Sequence, residues 1–231
     1  MRKKIIVLTG AGISAESGIR TFRDSGGLWE EHRIEDVATF EAWSRNPALV
    51  MDFYNQRRKQ LYEVNPNPAH FALASLEEKF DVRIITQNVD DLHERAGSSD
   101  ILHLHGELKK ARSTVDPDLV YDIEGWELKL GQKCEKGSQL RPHIVWFGEA
   151  VPMIEPAAEL ASQADIFMVI GTSMNVYPAA GLIHYVKGKA DKYLVDPNAV
   201  ALQSVSNLTV IRELAGTAVP QLVEKLLQES R

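Results

Sequence analysis

Ile5-Ile-Val-Leu8 runs through Thr9 into Gly10-Ala-Gly-Ile-Ser-Ala-Glu-Ser-Gly-Ile-Arg-Thr-Phe-Arg23. Four consecutive apolar residues read as a short strand buried on both faces, and the glycines behind them read as a tight turn. Such a turn at the end of a parallel strand delivers backbone N–H groups to a phosphate. Gly10 permits the turn, Gly12 lets the backbone approach a pyrophosphate, and Ala15 takes the small third position of a G-x-G-x-x-G/A pattern. Two glycines at a strand end are common in α/β chains. The tail is less common: Ser14, Glu16, Ser17, Arg20 and Arg23 crowd polar groups beside the strand end.

Similar runs recur at Val82–Thr86, Ile101–Leu104, Ile166–Gly171, Tyr193–Val195 and Leu208–Ile211. Helical patterns fall between several of them. Asn67-Pro68 supplies a cap and a first-turn proline ahead of Phe71, Ala72, Ser75, Leu76 and Lys79. Val219, Leu222, Val223, Leu226 and Leu227 give a closing amphipathic helix. Strands alternating with helices predict an α/β fold with a doubly wound, mostly parallel, Rossmann-like sheet. Residues 1–23, 67–106 and 141–231 are assigned to it. Residues 24–66, with no convincing strand and helices over 40–62, and the polar, glycine-bearing residues 107–140 are assigned to a smaller inserted module.

Composition narrows the function. The chain has 231 residues, 44% hydrophobic and 25% charged, with a net charge of −6. That balance is ordinary for a globular enzyme and lacks the basic stripe of a nucleic-acid binder. The apolar run behind Met1-Arg-Lys-Lys is too short for a signal peptide, and no stretch approaches the roughly 20 residues of a membrane helix. Cys134 is the only cysteine, so no intrachain disulfide and no four-cysteine zinc site can form. A cytoplasmic monomer without nucleic-acid or membrane partners is expected.

Other strand ends carry polar groups. Gln87, Asn88 and Asp90, in Thr86-Gln-Asn-Val-Asp-Asp-Leu-His93, would face the same crevice as the glycine turn and suit ribose hydroxyls or a carboxamide; equally, Asn88 and Asp90 could cap the next helix. In His103-Leu-His-Gly106 two imidazoles on one side of a strand could be a metal pair, though no third ligand completes it, or buried structural histidines. Val145-Trp-Phe-Gly148 reads by itself as an ordinary core strand. Gly171-Thr-Ser173 is another strand-end glycine with hydroxyls. Tyr54 and Arg57 are i,i+3 neighbours on a helix, able to converge on one carboxylate or to pack as surface side chains.

In combination and in order, these blocks resemble the signatures of the sirtuins, the NAD-dependent protein deacylases, over nearly the whole chain. The resemblance implies NAD bound by Gly10, Ala11, Gly12, Ile13, Ser14, Phe22 and Arg23, with Ser14 to Arg23 opening a loop that closes over it. Gln87 and Asn88 would hold the nicotinamide ribose and Asp90 the carboxamide. Gly171, Thr172, Ser173, Asp196 and Ala218 would serve the adenosine half. It makes His105 the catalytic base, with His103 in support, and lines an acyl-lysine tunnel with Val145, Phe147 and Gly148. Free lysine, nicotinamide and acyl-ADP-ribose are the implied products, and acyl-lysine proteins the implied partners.

The chain departs from the family pattern in two places. Sirtuins usually carry two Cys-x-x-Cys pairs for a structural zinc, whereas Cys134 stands alone here and Ser113 stands where a first cysteine would. No zinc or other metal is expected; Leu119, Tyr121, Trp126, Leu128 and Leu130 would hold the insert instead. Asp196 stands where an asparagine is usual. A carboxylate there still accepts ribose hydroxyls and disfavours a phosphorylated ribose, which favours NAD over NADP. Tyr54-x-x-Arg57 resembles the subgroup that removes succinyl and malonyl groups, so desuccinylation is expected beside deacetylation. The rival readings are a mono-ADP-ribosyltransferase, a silent NAD-binding module and, more distantly, a hydride-transferring dehydrogenase.

Overall fold

The computed structural model describes residues 2–19, 28–29, 32–172, 179–200 and 204–229. Along the chain the strands are β1 (Lys4–Thr9), β2 (Leu28–Trp29), β3 (His32–Arg33), β4 (Asp81–Thr86), β5 (Ile101–His103), β6 (Gly106–Ser113), β7 (Val120–Asp122), β8 (Leu140–Ile144), β9 (Ile166–Ile170), β10 (Asp191–Val195) and β11 (Leu208–Ile211). The helices are α1 (Ala11–Ala15), α2 (Ile34–Val37), α3 (Phe40–Arg45), α4 (Pro47–Leu61), α5 (Pro68–Ser75), α6 (Leu92–Arg95), α7 (Ile154–Ser162) and α8 (Ala215–Glu229).

All six apolar runs of the sequence become strands of one parallel sheet, ordered β11-β10-β9-β1-β4-β5. In the central strands the continuous apolar character follows from burial on both faces: every residue of β9, and all of β1 but Lys4, is buried. One face carries α5 and α8, packed through Leu73, Leu76, Val219 and Leu222 against Ile5, Val7, Ile84 and Met168. The other carries α7 and the 3₁₀ segment Ala179–Tyr185, meeting Ile6, Leu8, Phe167 and Val169.

The start of α5 forms as its sequence predicts. The Asn67 side chain accepts from Ala69 N at 3.0 Å, and His70 Nδ1 accepts from Asn67 N at 3.3 Å, a reciprocal cap. Asn67 Nδ2 also donates to Ile13 O at 2.7 Å, which ties α5 to α1.

After β1 the chain builds β4 and β5 on one side, then returns to build β9, β10 and β11 on the other. The reversal of strand order therefore lies between β1 and β9, at the carboxyl ends where open α/β sheets bind ligands. The glycine turn sits at this switch point.

The small module corrects two expectations. Residues 24–66 do contain strand: β2 and β3 form an antiparallel pair of two residues each, too short to show a period. Residues 107–140 are not merely irregular either, because β6 pairs antiparallel with β7 and with β8. The expected boundary at 140/141 falls inside β8, so residues 140–144 belong to the small sheet. Helices α2, α3 and α4 pack on this sheet through Val37, Trp43, Val50 and Leu61 with Leu108, Leu128 and Ile144.

Of the apolar residues expected to hold the insert, Leu128 is buried and Leu119 and Tyr121 pack at the edge, but Trp126 and Leu130 are exposed. Polar side chains of α4 supply what they do not. Asn55 Nδ2 donates to Leu128 O at 2.9 Å while its Oδ1 accepts from Leu128 N at 2.9 Å. The fully buried Arg58 donates to Leu108 O, to Trp126 O at 2.8 Å and to Asn55 Oδ1 at 2.7 Å. Burial lowers its pKa to about 10. Cys134 Sγ donates to Ser113 Oγ at 3.3 Å. One thiol among hydroxyls does not fit a tetrahedral zinc, and among the described residues no three His, Cys, Asp or Glu side chains group to hold a metal.

Asn55→Leu tests this staple. It leaves both buried backbone groups of Leu128, and one Arg58 donor, without their partner. A loss of about 3 kcal/mol is expected, lowering Tm by roughly 5–10 °C. Amide exchange should accelerate first near Leu128; an unchanged melt and exchange pattern would count against the staple.

Candidate active site

A cavity of about 540 Å³ opens at the switch point, within the usual size of a small-molecule site. Among its lining residues are Gly10, Ala11, Gly12 and Ser14 from the first turn, Gln87, Asn88 and Asp90 beyond β4, His105 beyond β5, Gly171 and Thr172 beyond β9, and Asp196 beyond β10. Tyr54 and Arg57 of α4 and the segment Ile144 to Glu149 close the other end. Of the other site residues named from sequence, Ile13 and Ala218 lie in the core beneath the cavity and are not among those lining it. Phe22, Arg23 and Ser173, with most of the expected closing loop, fall outside the described residues.

The glycines also do a job within the fold that their pattern does not reveal. Gly10 N–H donates to Ile170 O at 3.0 Å and Gly12 N–H to Gly171 O at 2.8 Å. Both donors are spent on the neighbouring strand end. A Cβ on Gly12 would lie 2.7 Å from Gly171 Cα, so a side chain there would force the two turns apart. The glycines thus draw β1 and β9 together and set the floor of the cavity.

Polar side chains lock that floor. Ser14 Oγ donates to Asp90 Oδ2 at 2.9 Å, and Asn88 Nδ2 donates to Ser14 Oγ at 2.9 Å and to Gly10 O at 3.1 Å. Asp90 Oδ1 accepts from Leu92 N at 3.2 Å, so helix capping and site-building are one arrangement here. Burial pushes the Asp90 carboxyl up, against these hydrogen bonds. Underneath, Thr9 Oγ1 donates to Thr86 Oγ1 at 2.9 Å, and Thr86 Oγ1 accepts from Asn88 N at 3.0 Å. His93 Nε2 lies 3.0 Å from Thr9 Oγ1, and burial holds His93 neutral.

The two histidines after β5 grip consecutive carbonyls. His103 Nδ1 lies 3.2 Å from Asn88 O and His105 Nδ1 lies 3.0 Å from Gln87 O. A carbonyl only accepts, so each Nδ1 carries a proton. For His105 this leaves Nε2 as the lone-pair nitrogen in the neutral ring. Burial lowers its pKa and the Gln87 carbonyl partly offsets this. His103 is different: burial lowers its pKa, but Glu94 Oε1 at 2.7 Å, with Glu107 and the Asn88 carbonyl, raises it overall. His105 lines the cavity whereas His103 does not. Gly106, at φ +83°, then turns the chain into β6, a conformation glycine tolerates and other residues rarely adopt.

At the far end Val145 N donates to His105 O at 2.9 Å and Phe147 N to Ala38 O at 3.0 Å, so residues 145–147 bridge the sheet domain and the small module. The Phe147 side chain is largely exposed at this edge. Tyr54, fully buried, accepts from Trp146 Nε1 at 3.0 Å, and burial raises its pKa, so the phenol stays protonated. The guanidinium of Arg57 lies 5.9 Å from the centroid of the Phe53 ring.

Sequence reasoning passed over Glu149, Leu214 and Ala215 as lining residues, and gave Glu16 no role beyond its charge. Glu16 Oε1 accepts from Gly216 N at 2.8 Å, joining the first turn to the start of α8. Residues 200 positions apart leave no local pattern to read. The three strand-end turns, the buried amide–carboxylate floor and the volume suit a dinucleotide, so the residues present fit that group.

The sequence profile of the Sir2 family matches residues 10–178. A protein of Bacteroides thetaiotaomicron named NAD-dependent protein deacylase is 56% identical over 230 residues, covering 97% of this chain and 98% of its own length. One of the same name from Helicobacter pylori is 55% identical over 226 residues, covering 98% of each chain. A solved Sir2 homologue in complex with NAD is similar with a TM-score of 0.88 at 39% identity, covering 100% of this chain and 91% of that one. Profile, relatives and solved structure agree with the parallel sheet, its switch-point cavity and the separate small sheet: the chain belongs to the Sir2 family.

Proposed function

We propose that the chain is an NAD-dependent protein lysine deacylase in which His105 is the general base and Tyr54 with Arg57 admits acyl groups ending in a carboxylate. When bound, NAD supplies an activated ribose carbon with nicotinamide as leaving group. The turn from Gly10 to Ser14 would give the cofactor a surface of close approach rather than glycine N–H donors, Thr172 and Asp196 would hold its phosphates and adenosine, and Gln87, Asn88 and Asp90 its nicotinamide end. The observation that carries the reading is the hydrogen bond from His105 Nδ1 to Gln87 O, 3.0 Å long. It fixes the tautomer so that Nε2 can take a hydroxyl proton at neutral pH, and burial keeps the ring uncharged until it does so.

Val145, Phe147 and Gly148 would form the wall beside the lysine stem, whose methylenes suit an apolar channel. Edge backbone groups of this segment could pair with an extended substrate without demanding a particular sequence. The chain's contribution is orientation and exclusion of water from a reactive centre.

Incubation with NAD and matched acetyl- and succinyl-lysine peptides, read by mass spectrometry, tests the proposal. Free lysine peptide, nicotinamide and acyl-ADP-ribose are expected with both substrates. ADP-ribose attached to peptide or protein would favour a transferase instead, and absence of NAD turnover would favour a silent binding module.

A further inference from the structure

Trp146 stands between the cavity and a cluster of charges, and its surroundings are unusually complete. It is nearly fully buried. The guanidinium of Arg141 lies 3.3 Å from the centroid of its ring, and the Trp43 ring lies 5.8 Å away on centroids. Arg141 donates to Glu149 Oε1 at 2.7 Å and to Oε2 at 3.1 Å; Arg112 adds a contact to Oε2 at 3.2 Å. Glu149 Oε2 in turn accepts from the Trp146 backbone N–H at 2.8 Å. Main chain and ring are therefore both held, which leaves the indole little rotational freedom.

What that fixed indole presents to the cavity is a single donor. Its N–H meets Tyr54 Oη at 3.0 Å. Indole nitrogen cannot accept, so the phenol oxygen must accept from it, and the phenol's own proton has to point elsewhere. The burial of Tyr54 raises its pKa, so that proton is present at every assayable pH. Tyr54 and Arg57 lie on one face of α4 and both line the cavity.

We infer that Trp146 is a positioning residue for acyl specificity: its indole N–H occupies the acceptor side of Tyr54 and thereby commits the phenol to donate to an acyl carboxylate such as succinyl or malonyl. The inference rests on the proposed role of Tyr54 and Arg57. It also gives the segment 145–148 a second duty, since the chain that would flank the lysine stem also sets the donor at the end of the acyl group. An acetyl group has no carboxylate to receive that proton and should be indifferent to it.

Trp146→Phe keeps an aromatic ring beneath Arg141 and removes the N–H together with part of the indole's buried volume, so the readout is the difference between the two substrates. Against wild type it is expected to raise KM for a succinyl-lysine peptide about 5- to 10-fold more than KM for the matched acetyl-lysine peptide. Tyr54→Phe should give a similar split, and the double variant should be no worse than Tyr54→Phe alone. Trp146→His, which returns a ring N–H, should recover part of the succinyl preference and supplies the comparison if W146F does not fold. Equal losses on both substrates, or multiplying effects in the double variant, would overturn the role of Trp146. Wild type without succinyl turnover would instead remove the Tyr54 and Arg57 reading beneath it, whereas succinyl turnover unaffected by W146F and W146H would remove the role of Trp146 alone.

Discussion

Replacing His105 by Ala is expected to lower kcat/KM at least about 10³-fold on acetyl- and succinyl-lysine peptides alike. A positioned general base contributes roughly 10² to 10⁴ in rate, and no other described histidine lines the cavity to substitute for it. The fold should survive: the ring makes one described hydrogen bond, to Gln87 O, and sits at the cavity edge rather than in a core cluster. A Tm within a few degrees of wild type would separate loss of chemistry from loss of structure. The pH profile gives a second reading. Burial places the His105 pKa below the ordinary value near 6.5, with the Gln87 carbonyl working in the opposite direction. The base is active when neutral, so kcat/KM should hold through neutral pH and fall only as pH drops through that lowered value. Retention of more than a tenth of wild-type activity in H105A would sink the assignment, as would an acid limb centred above 6.5.

The position of His105 was legible because it follows the apolar run that becomes the edge strand β5, and its place directly before Gly106 set it apart from His103 in the family resemblance. The central strands of this sheet read well for one reason: both faces are covered, so Ile166 to Ile170 is apolar without interruption. The small sheet did not read, because in β6, β7 and β8 buried positions are mixed with exposed or charged ones over short spans. Its staple was hidden for a related reason. Arg58 is followed by Lys59 in a helix that looks basic and solvated, and only the fold reveals that Arg58 points inward to Leu108 and Trp126. The glycine turn shows a subtler limit. Its location was legible and its physical job was not, since sequence cannot say whether a missing Cβ makes room for a ligand or for Gly171.

Replacing Arg57 by Met is expected to raise KM for succinyl-lysine about 10²-fold while acetyl-lysine turnover stays within about twofold. Met keeps an unbranched apolar stem of similar reach, so packing beside Phe53 changes little. What disappears is the positive charge, in a site where Arg57 is only 6% exposed. A carboxylate brought there without its counter-charge loses hydration and recovers only the Tyr54 hydrogen bond, a deficit of about 3 kcal/mol. The carboxylate lies at the far end of the acyl chain from the carbonyl that reacts. Its ion pair is therefore made equally in ground and transition state, so KM carries the loss and kcat does not. The buried phenol of Tyr54 stays neutral, so it contributes no titration of its own. Wild type should then show the same acid limb on both peptides, set by His105, and R57M should shift succinyl KM without moving that limb. Equal losses on the two substrates would refute the carboxylate grip; a displaced limb would mean that Arg57 acts on His105 rather than on the acyl group.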